Sequence, residues 1–243
     1  MINFDINPVL FKIGVFEIRY YGIIYVLGFL IAFLYLNNKK EKLGLNKDDI
    51  YDLIFYLIIG IIIGSRLFEV LFWNPNYYFN NLLDIFKIWE GGLSFHGGLV
   101  GALISSYLFS KKKNIKILKL ADALIIPTTI ALASGRIGNL LNSEIYGTIT
   151  NVSWCFNFAN VEGCRHPYQI YSSLGHILTF LILLKLSKKN YKEGYLFFTG
   201  MFLFGLTRFV LDFLREDPTW VGLTLGHYFS LVLMIITGYF LLK

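Results

Sequence analysis

Long apolar blocks recur along this chain, and the loops between them alternate between lysine-rich and nearly lysine-free. A helix needs roughly 17 or more apolar residues to cross a bilayer, and the blocks predict seven such helices, over 20–36, 50–72, 93–109, 120–141, 168–186, 195–214 and 223–242. This limits the fold to an all-α integral membrane protein, because a chain in lipid must satisfy its backbone hydrogen bonds within each span. With 56% apolar residues among 243, there is room for one membrane-embedded domain, 1–243, and short loops. Two lysine-poor segments, 73–91 and 142–167, are read as its external parts.

Three loops carry most of the lysine: Lys39, Lys40, Lys42 and Lys47; Lys111, Lys112, Lys113, Lys116 and Lys119; Lys185, Lys188, Lys189 and Lys192. Lysine concentrates on the cytoplasmic side of membrane proteins. Seven spans then place the N-terminus outside and the C-terminus in the cytoplasm. The net charge of +6 is accounted for by this asymmetry, so a nucleic-acid partner is not expected. The first residues do not read as a secretory signal, since Asp5 stands where a basic region belongs. Cys155 and Cys164 share one polar loop, as a disulfide or as two free thiols. The aromatic stretch from Trp73 to Trp89 reads as interfacial.

Arginine follows a different pattern. Arg19, Arg66, Arg136, Arg165, Arg208 and Arg215 all avoid the lysine loops. A guanidinium offers a planar fork of donors suited to phosphate or carboxylate. Arg19 and Arg215 fit interfacial residues that snorkel to water. Arg136 and Arg208 lie one or two turns inside a span, where an ionisable group faces a cavity or a partner. By depth, Tyr21, Arg66, Glu69, His96, Arg136, Asn139, Arg208 and Asp212 fall near the outer ends of five helices. Arg136 and Asn139 share a helix face, and Arg208 and Asp212 are spaced to pair, with Asp212 orienting the arginine. Arg66 and Glu69, three apart, are either a private ion pair or part of the same cluster. Glycines 91, 92, 97, 98 and 101 surround His96, and Gly97 and Gly101 have the spacing of a helix-packing pair. His96 itself is a candidate proton acceptor. No metal-ligand cluster and no phosphate-cradling glycine loop is visible, so neither metal nor cofactor is expected.

The stretch "GRIGNLLNSEIYG", 135–147, resembles the signature of the prolipoprotein diacylglyceryl transferase family, with Leu140 at a position that is usually Phe. "RYYGIIYVLGF", "WEGGLSFHGGLVG", "HPYQIY" and "RFVLDFLREDP" resemble further family segments in family order. The resemblance implies an enzyme of the bacterial plasma (inner) membrane with its site toward the outer leaflet. It would transfer the diacylglyceryl group of phosphatidylglycerol to the lipobox cysteine of a preprolipoprotein, forming a thioether and releasing glycerol phosphate. Phosphatidylglycerol, the lipobox peptide and membrane lipid are the implied partners. By position, His96, Arg136, Arg208 and Tyr21 match catalytic residues of the family. Arg136, Asn139, Glu144, Gly147, Arg208 and Asp212 would bind substrate, with Asp212 where Glu is common. Tyr168, Ser172, His227 and Glu69 depart from the usual family residues. The rival readings are a lipid or anion transporter and an inactive lipid-binding homologue. A transporter tends to carry internal repeats and midplane helix breaks, and no repeat is visible here.

Overall fold

The computed structural model describes residues 1–14, 16–159 and 161–243, with Phe16 described by its backbone alone. The main helices are α1 (Tyr20–Leu43), α2 (Lys47–Phe68), α4 (Phe95–Lys112), α5 (Ile117–Leu141), α6 (Tyr168–Leu186), α7 (Tyr195–Leu211) and α8 (Leu225–Leu242), with a short α3 (Pro75–Asn80) after α2. Short strands lie between them: β1 (Ile2–Phe4), β2 (Val9–Ile13), β3 (Phe16–Arg19), β4 (Phe156–Phe158), β5 (Thr219–Trp220) and β6 (Leu223–Thr224).

Six helices among the described residues are long and apolar enough to cross a membrane: Tyr20–Leu43, Lys47–Trp73, Ile117–Leu141, Tyr168–Leu186, Tyr195–Leu214 and Leu225–Leu242. The protein is therefore a multi-pass membrane protein. The third expected span falls on α4, which has 18 residues and is not one of the six. Gly97, Gly98, Gly101, Ser105, Ser106 and Ser110 dilute its apolar character, and Lys111 and Lys112 close it. Apolar side chains stay exposed along the outward faces, Val26, Phe55 and Phe229 among them, as a lipid-facing surface requires.

The chain forms two compact units, one of residues 1–32 and 122–243, the other of residues 33–121. The second unit is built on α2 and α4. Asn46 caps α2 through a reciprocal capping box with Asp49, which satisfies two otherwise orphaned donors. A Cβ on Gly64 would lie 3.0 Å from the Gly101 Cα, and one on Gly97 2.8 Å from the Gly64 carbonyl carbon. The expected packing role of Gly97 and Gly101 is met by glycines on the facing helix, because only backbones without side chains approach this closely. Past Phe68, α2 continues as a π-helical turn, Glu69–Trp73.

The first unit holds α5 to α8 and the first turns of α1. Ser173 on α6 donates to the Ala133 carbonyl on α5 at 3.0 Å. The Asp122 carboxylate on α5 accepts from the backbone N–H of Gly194 and Phe197, both at 2.7 Å. It thereby caps the start of α7 from another helix, where orphaned N–H groups favour an anion. At the Leu141 end of α5 a small cap forms. In it β1 pairs in parallel with β4, Ile2 opposite Phe156, and Leu140, Phe156 and Phe158 make its core with Phe4 and Tyr146. Cys155 and Cys164 are joined by a disulfide, with Cα atoms 5.5 Å apart. The 142–167 segment is thus pinned at its centre, and the choice left open by the sequence goes to the paired form.

Candidate active site

In the first unit the site is built from the Leu141 end of α5 and the Leu211 end of α7. Arg136 and Asn139, three apart on α5, meet on one face: an Arg136 Nη1–H donates to the Asn139 Oδ1 at 3.2 Å. The Asn139 amide in turn donates to the Glu144 carboxylate at 2.7 Å. The chain turns back through Ser143 and Ile145, at φ 53° and 55°. A β-branched residue in this left-handed region is strained. Such strain concentrates where a surrounding network over-determines the backbone, and here it points Glu144 back toward the helix end. Gln169 on α6 fixes the turn from the other side, its Nε2 donating to the Glu144 carbonyl at 2.7 Å.

Gly147 closes the signature stretch at a crowded junction. A Cβ there would lie 2.6 Å from the Leu214 carbonyl oxygen and 2.7 Å from the His166 Cβ. Its N–H donates to the His166 carbonyl at 3.0 Å, and its own carbonyl accepts from the buried Arg165 at 3.2 Å. Arg165 also pairs with the Glu216 carboxylate and lies over the Tyr146 ring. Gly147 therefore lets three chain segments meet.

At the end of α7, Arg208 donates through Nε to the Asp212 Oδ2 at 3.4 Å, the i, i+4 pair expected from the sequence. Asp212 is also held by the Tyr168 hydroxyl, which donates to Oδ1 at 2.8 Å. Both Tyr168 and Asp212 are 1% exposed. The carboxylate lies against Gly226 in the first turn of α8, where any Cβ would strike it. With Asp212 bound at Nε, neither terminal nitrogen of Arg208 is hydrogen-bonded among the described residues. Arg136 lies within electrostatic reach of Arg208, Arg215, Tyr21 and Tyr168. Tyr21 packs its ring on Gly138, where a Cβ would come 2.8 Å from the Tyr21 Cε2, and its hydroxyl accepts from Tyr25 at 3.3 Å. Tyr21, Arg136, Asn139, Glu144, Gly147, Arg208 and Asp212 thus all belong to the first unit. Arg19 and Arg215 are paired locally, with Glu17 at 2.8 Å and Asp217 at 3.0 Å.

His96 belongs to the second unit. It stands in the first turn of α4, exposed, with its ring against Phe68 and Trp73 at centroid distances of 6.0 and 6.3 Å. Trp73 is itself tied to Ser94, its indole N–H donating at 3.0 Å. Arg66, in the same unit, makes no ion pair with Glu69 among the described residues. Its guanidinium instead donates to the carbonyls of Asp84, Ile85, Lys87, Gly91 and Gly92. Glu69 accepts from the Asn74 amide at 2.6 Å. Gly92 permits this closure twice over: its φ is +71°, and a Cβ would lie 2.7 Å from the Arg66 Nη1.

Sequence reasoning missed Tyr168, Gln169 and Gly226 as site-shaping residues. Tyr168 and Gln169 sit inside "HPYQIY", so the motif marked the place without revealing which side chains turn toward α5 and α7. Gly226 carried no such signal. The described residues hold no group of three or more His, Cys, Asp or Glu side chains able to ligate a metal.

Comparison with known proteins identifies what this arrangement belongs to. Residues 8–243 match the family model for prolipoprotein diacylglyceryl transferase. The phosphatidylglycerol–prolipoprotein diacylglyceryl transferase of Geobacter sulfurreducens is 39% identical over 228 residues, 92% of this chain and 87% of that one. Proteins of the same name from Rickettsia africae and Rickettsia canadensis are each 38% identical, covering 97% of this chain and 95% and 96% of their own. A match this long and this complete, together with the arginine, amide and carboxylate network at the ends of α5 and α7, shows that the chain belongs to the prolipoprotein diacylglyceryl transferase family.

Proposed function

We propose that this protein transfers the diacylglyceryl group of phosphatidylglycerol to the lipobox cysteine of a preprolipoprotein. The observation that carries the reading is the placement of Arg136 and Arg208. Two guanidiniums within electrostatic reach of each other sit half-buried at the ends of membrane helices. Arg136 takes a neutral amide as its partner, and Arg208 keeps its terminal nitrogens clear of Asp212. Like charges gathered in this way suit an anion, and a phosphodiester matches the guanidinium fork.

In this mechanism the two arginines hold the lipid phosphate and stabilise the charge that grows as glycerol phosphate leaves. The cysteine sulfur, as thiolate, attacks the glyceryl carbon that bears the phosphate oxygen. A carbon–sulfur bond forms, that carbon–oxygen bond breaks, and the electron pair leaves on the phosphate. A thiol with an ordinary value of about 8.5 must first lose its proton. His96 takes it, directly or through a water. Tyr21 and Asn139 position the headgroup, Asp212 orients Arg208, and Glu144 and Gly147 hold the signature turn in shape.

Seven spans make up one membrane-embedded domain, with α4 as the third. The N-terminus is external, the C-terminus cytoplasmic, and the site faces the outer leaflet of the bacterial plasma membrane. The alternation of lysine loops supports this sidedness, and Gly97 and Gly101 packed on α2 support a membrane-buried α4.

The test is transfer of diacylglyceryl mass from phosphatidylglycerol to a lipobox peptide in membranes containing this chain. Arg136→Ala and His96→Ala should each abolish transfer while membrane insertion persists. A wild-type protein that adds no mass, beside an active relative that does, refutes the reading. Full activity in both variants refutes the site.

A further inference from the structure

One face of α6 is polar from the signature turn inward, past the level of the two arginines. Gln169, Ser172, Ser173, His176 and Thr179 recur with the helix period, and each is at most 4% exposed. A helix face packed inside a membrane protein gains little from such a stripe unless the groups are used. Most of their donors are satisfied within the protein. The Gln169 amide donates to Glu144, Ser173 to Ala133, and Thr179 to Gly175. Besides the Gln169 Oε1, one buried atom of this stripe lacks a partner among the described residues, and it belongs to His176. It is 2% exposed, its ring stacks on Phe204 of α7 at 5.5 Å and 13°, and its Nδ1 has no hydrogen-bond partner among the described residues. A buried polar group without a partner is costly, and the Phe204 stack holds the ring so that it cannot turn freely to find one.

The depth of His176 narrows what its partner can be. Ser173 meets α5 at Ala133, one turn from Arg136 toward the middle of the helix. His176 follows three residues later on α6, roughly 4.5 Å deeper. Phe204 likewise precedes Arg208 by one turn of α7. By these counts the imidazole lies about one turn below Arg208 and about two turns below Arg136, on the acyl side of both guanidiniums. In a glycerophospholipid the next polar groups on that side are the carbonyls of the two fatty-acid esters. They accept hydrogen bonds and do not donate them.

We propose that His176 donates its Nδ1–H to an ester carbonyl of the lipid donor, so that this face of α6 reads the diacyl linkage of the group being transferred. The inference rests on the transfer reading above for the identity of the lipid. It makes His176 a specificity-determining residue, distinct from the arginines that hold the phosphate.

The full chain, reconstituted in nanodiscs, separates the possibilities. Diacyl phosphatidylglycerol is compared with its dialkyl ether analogue, which keeps headgroup and chain length but lacks both carbonyls. Transfer to a lipobox peptide and lipid retention by native mass spectrometry are read in parallel. The ether lipid leaves the buried donor unpaired, so the wild type should prefer the diacyl lipid by about tenfold or more. His176→Phe keeps the stack, should bring the diacyl lipid down to the ether level, and should leave the ether lipid unchanged. His176→Asn places an amide N–H near Nδ1 and should retain the preference. A wild type without preference, a His176→Phe variant that keeps the preference or loses both lipids equally, or a His176→Asn variant that loses the preference overturns the proposal. If the wild type transfers neither lipid, the reaction reading fails, and the retention ratio still decides the subsite.

Discussion

Arg66 offers the sharpest test of how the second unit is held together. All five of its N–H donors are used, at 2.8 Å to Ile85, 2.7 Å to Gly91, 3.0 Å to Gly92, 3.2 Å to Lys87, and to Asp84. The guanidinium is 6% exposed and rests on the Tyr78 ring at 4.8 Å. The carbonyls it takes come from the 3-10 turn Leu82–Phe86, from Lys87 after it and from Gly91 and Gly92; those of Asp84 and Lys87 also accept the backbone N–H of Lys87 and Glu90, both at 3.2 Å, and the guanidinium adds a second donor to them. Hydrogen bonds to a charged group contribute about 1.5–3 kcal/mol each, so five would sum to roughly 10 kcal/mol if none of the carbonyls found water. Most can, because the segment is exposed at Leu83, Phe86 and Trp89. The expected cost of Arg66→Met is therefore about 3 kcal/mol of local stability, near the lower value for breaking a buried charged contact. Lysine brings three donors instead of five, so Arg66→Lys should cost about half as much. Hydrogen exchange in nanodiscs reads this directly: 3 kcal/mol of local opening speeds exchange by about a hundredfold. The increase should be confined to residues 82–92 and the start of α4. Transfer activity should fall with it, because Ser94 is bound to Ser65, its N–H donating at 3.1 Å, and leads directly into His96. Exchange within about threefold of wild type in Arg66→Met would refute the reasoning, since the carbonyls would then have no need of the guanidinium.

Three further outcomes follow from other contacts. Tyr168→Phe removes one of the two hydrogen bonds that fix the buried Asp212 carboxylate. It should lower transfer by about tenfold and, as a positioning effect, should be non-additive with Asp212→Asn in a double-mutant cycle; additive losses would count against it. Asp122→Ala uncaps α7 and should destabilise the protein by about 1–2 kcal/mol in thermal unfolding, with the phosphatidylglycerol KM unchanged. At the surface, Lys87 and then Tyr77 hold the Asp84 carboxyl below its ordinary value, while Asp84 holds the Lys87 ammonium above its own. A depressed carboxyl contributes stability above its unfolded value of about 3.9 and loses it as pH falls through the folded value. Exchange in residues 82–92 should therefore rise below about pH 4, and Asp84→Asn should abolish that rise.

The membrane class of this protein was readable from the chain because hydropathy adds up locally. Each block of apolar residues reports on its own helix whatever surrounds it, and the observed α6 has the predicted bounds, Tyr168–Leu186. The Arg208–Asp212 pair was legible for the same reason, as an i, i+4 contact on one helix. The signature stretch likewise marked Arg136, Asn139 and Glu144 as a group, and the structure links them in that order through 3.2 and 2.7 Å bonds.

What the sequence could not decide were contacts between residues far apart along the chain. Arg66 and Glu69 looked like partners by spacing, yet the guanidinium went to carbonyls 18 to 26 residues away. Tyr168 reaches Asp212 across 44 residues, and Gln169 reaches Glu144 across 25. Spacing fixes which residues share a helix face; which faces then meet is settled by packing, at Gly64 against Gly101 and Gly226 against Asp212, where the absence of a single methyl group lets two elements close. The chain alone determined that arginines and amides would stand at the ends of membrane helices. Only the tertiary structure decided that Asp212 would be gripped from two sides, and that the His176 Nδ1 would be buried without a partner among the described residues.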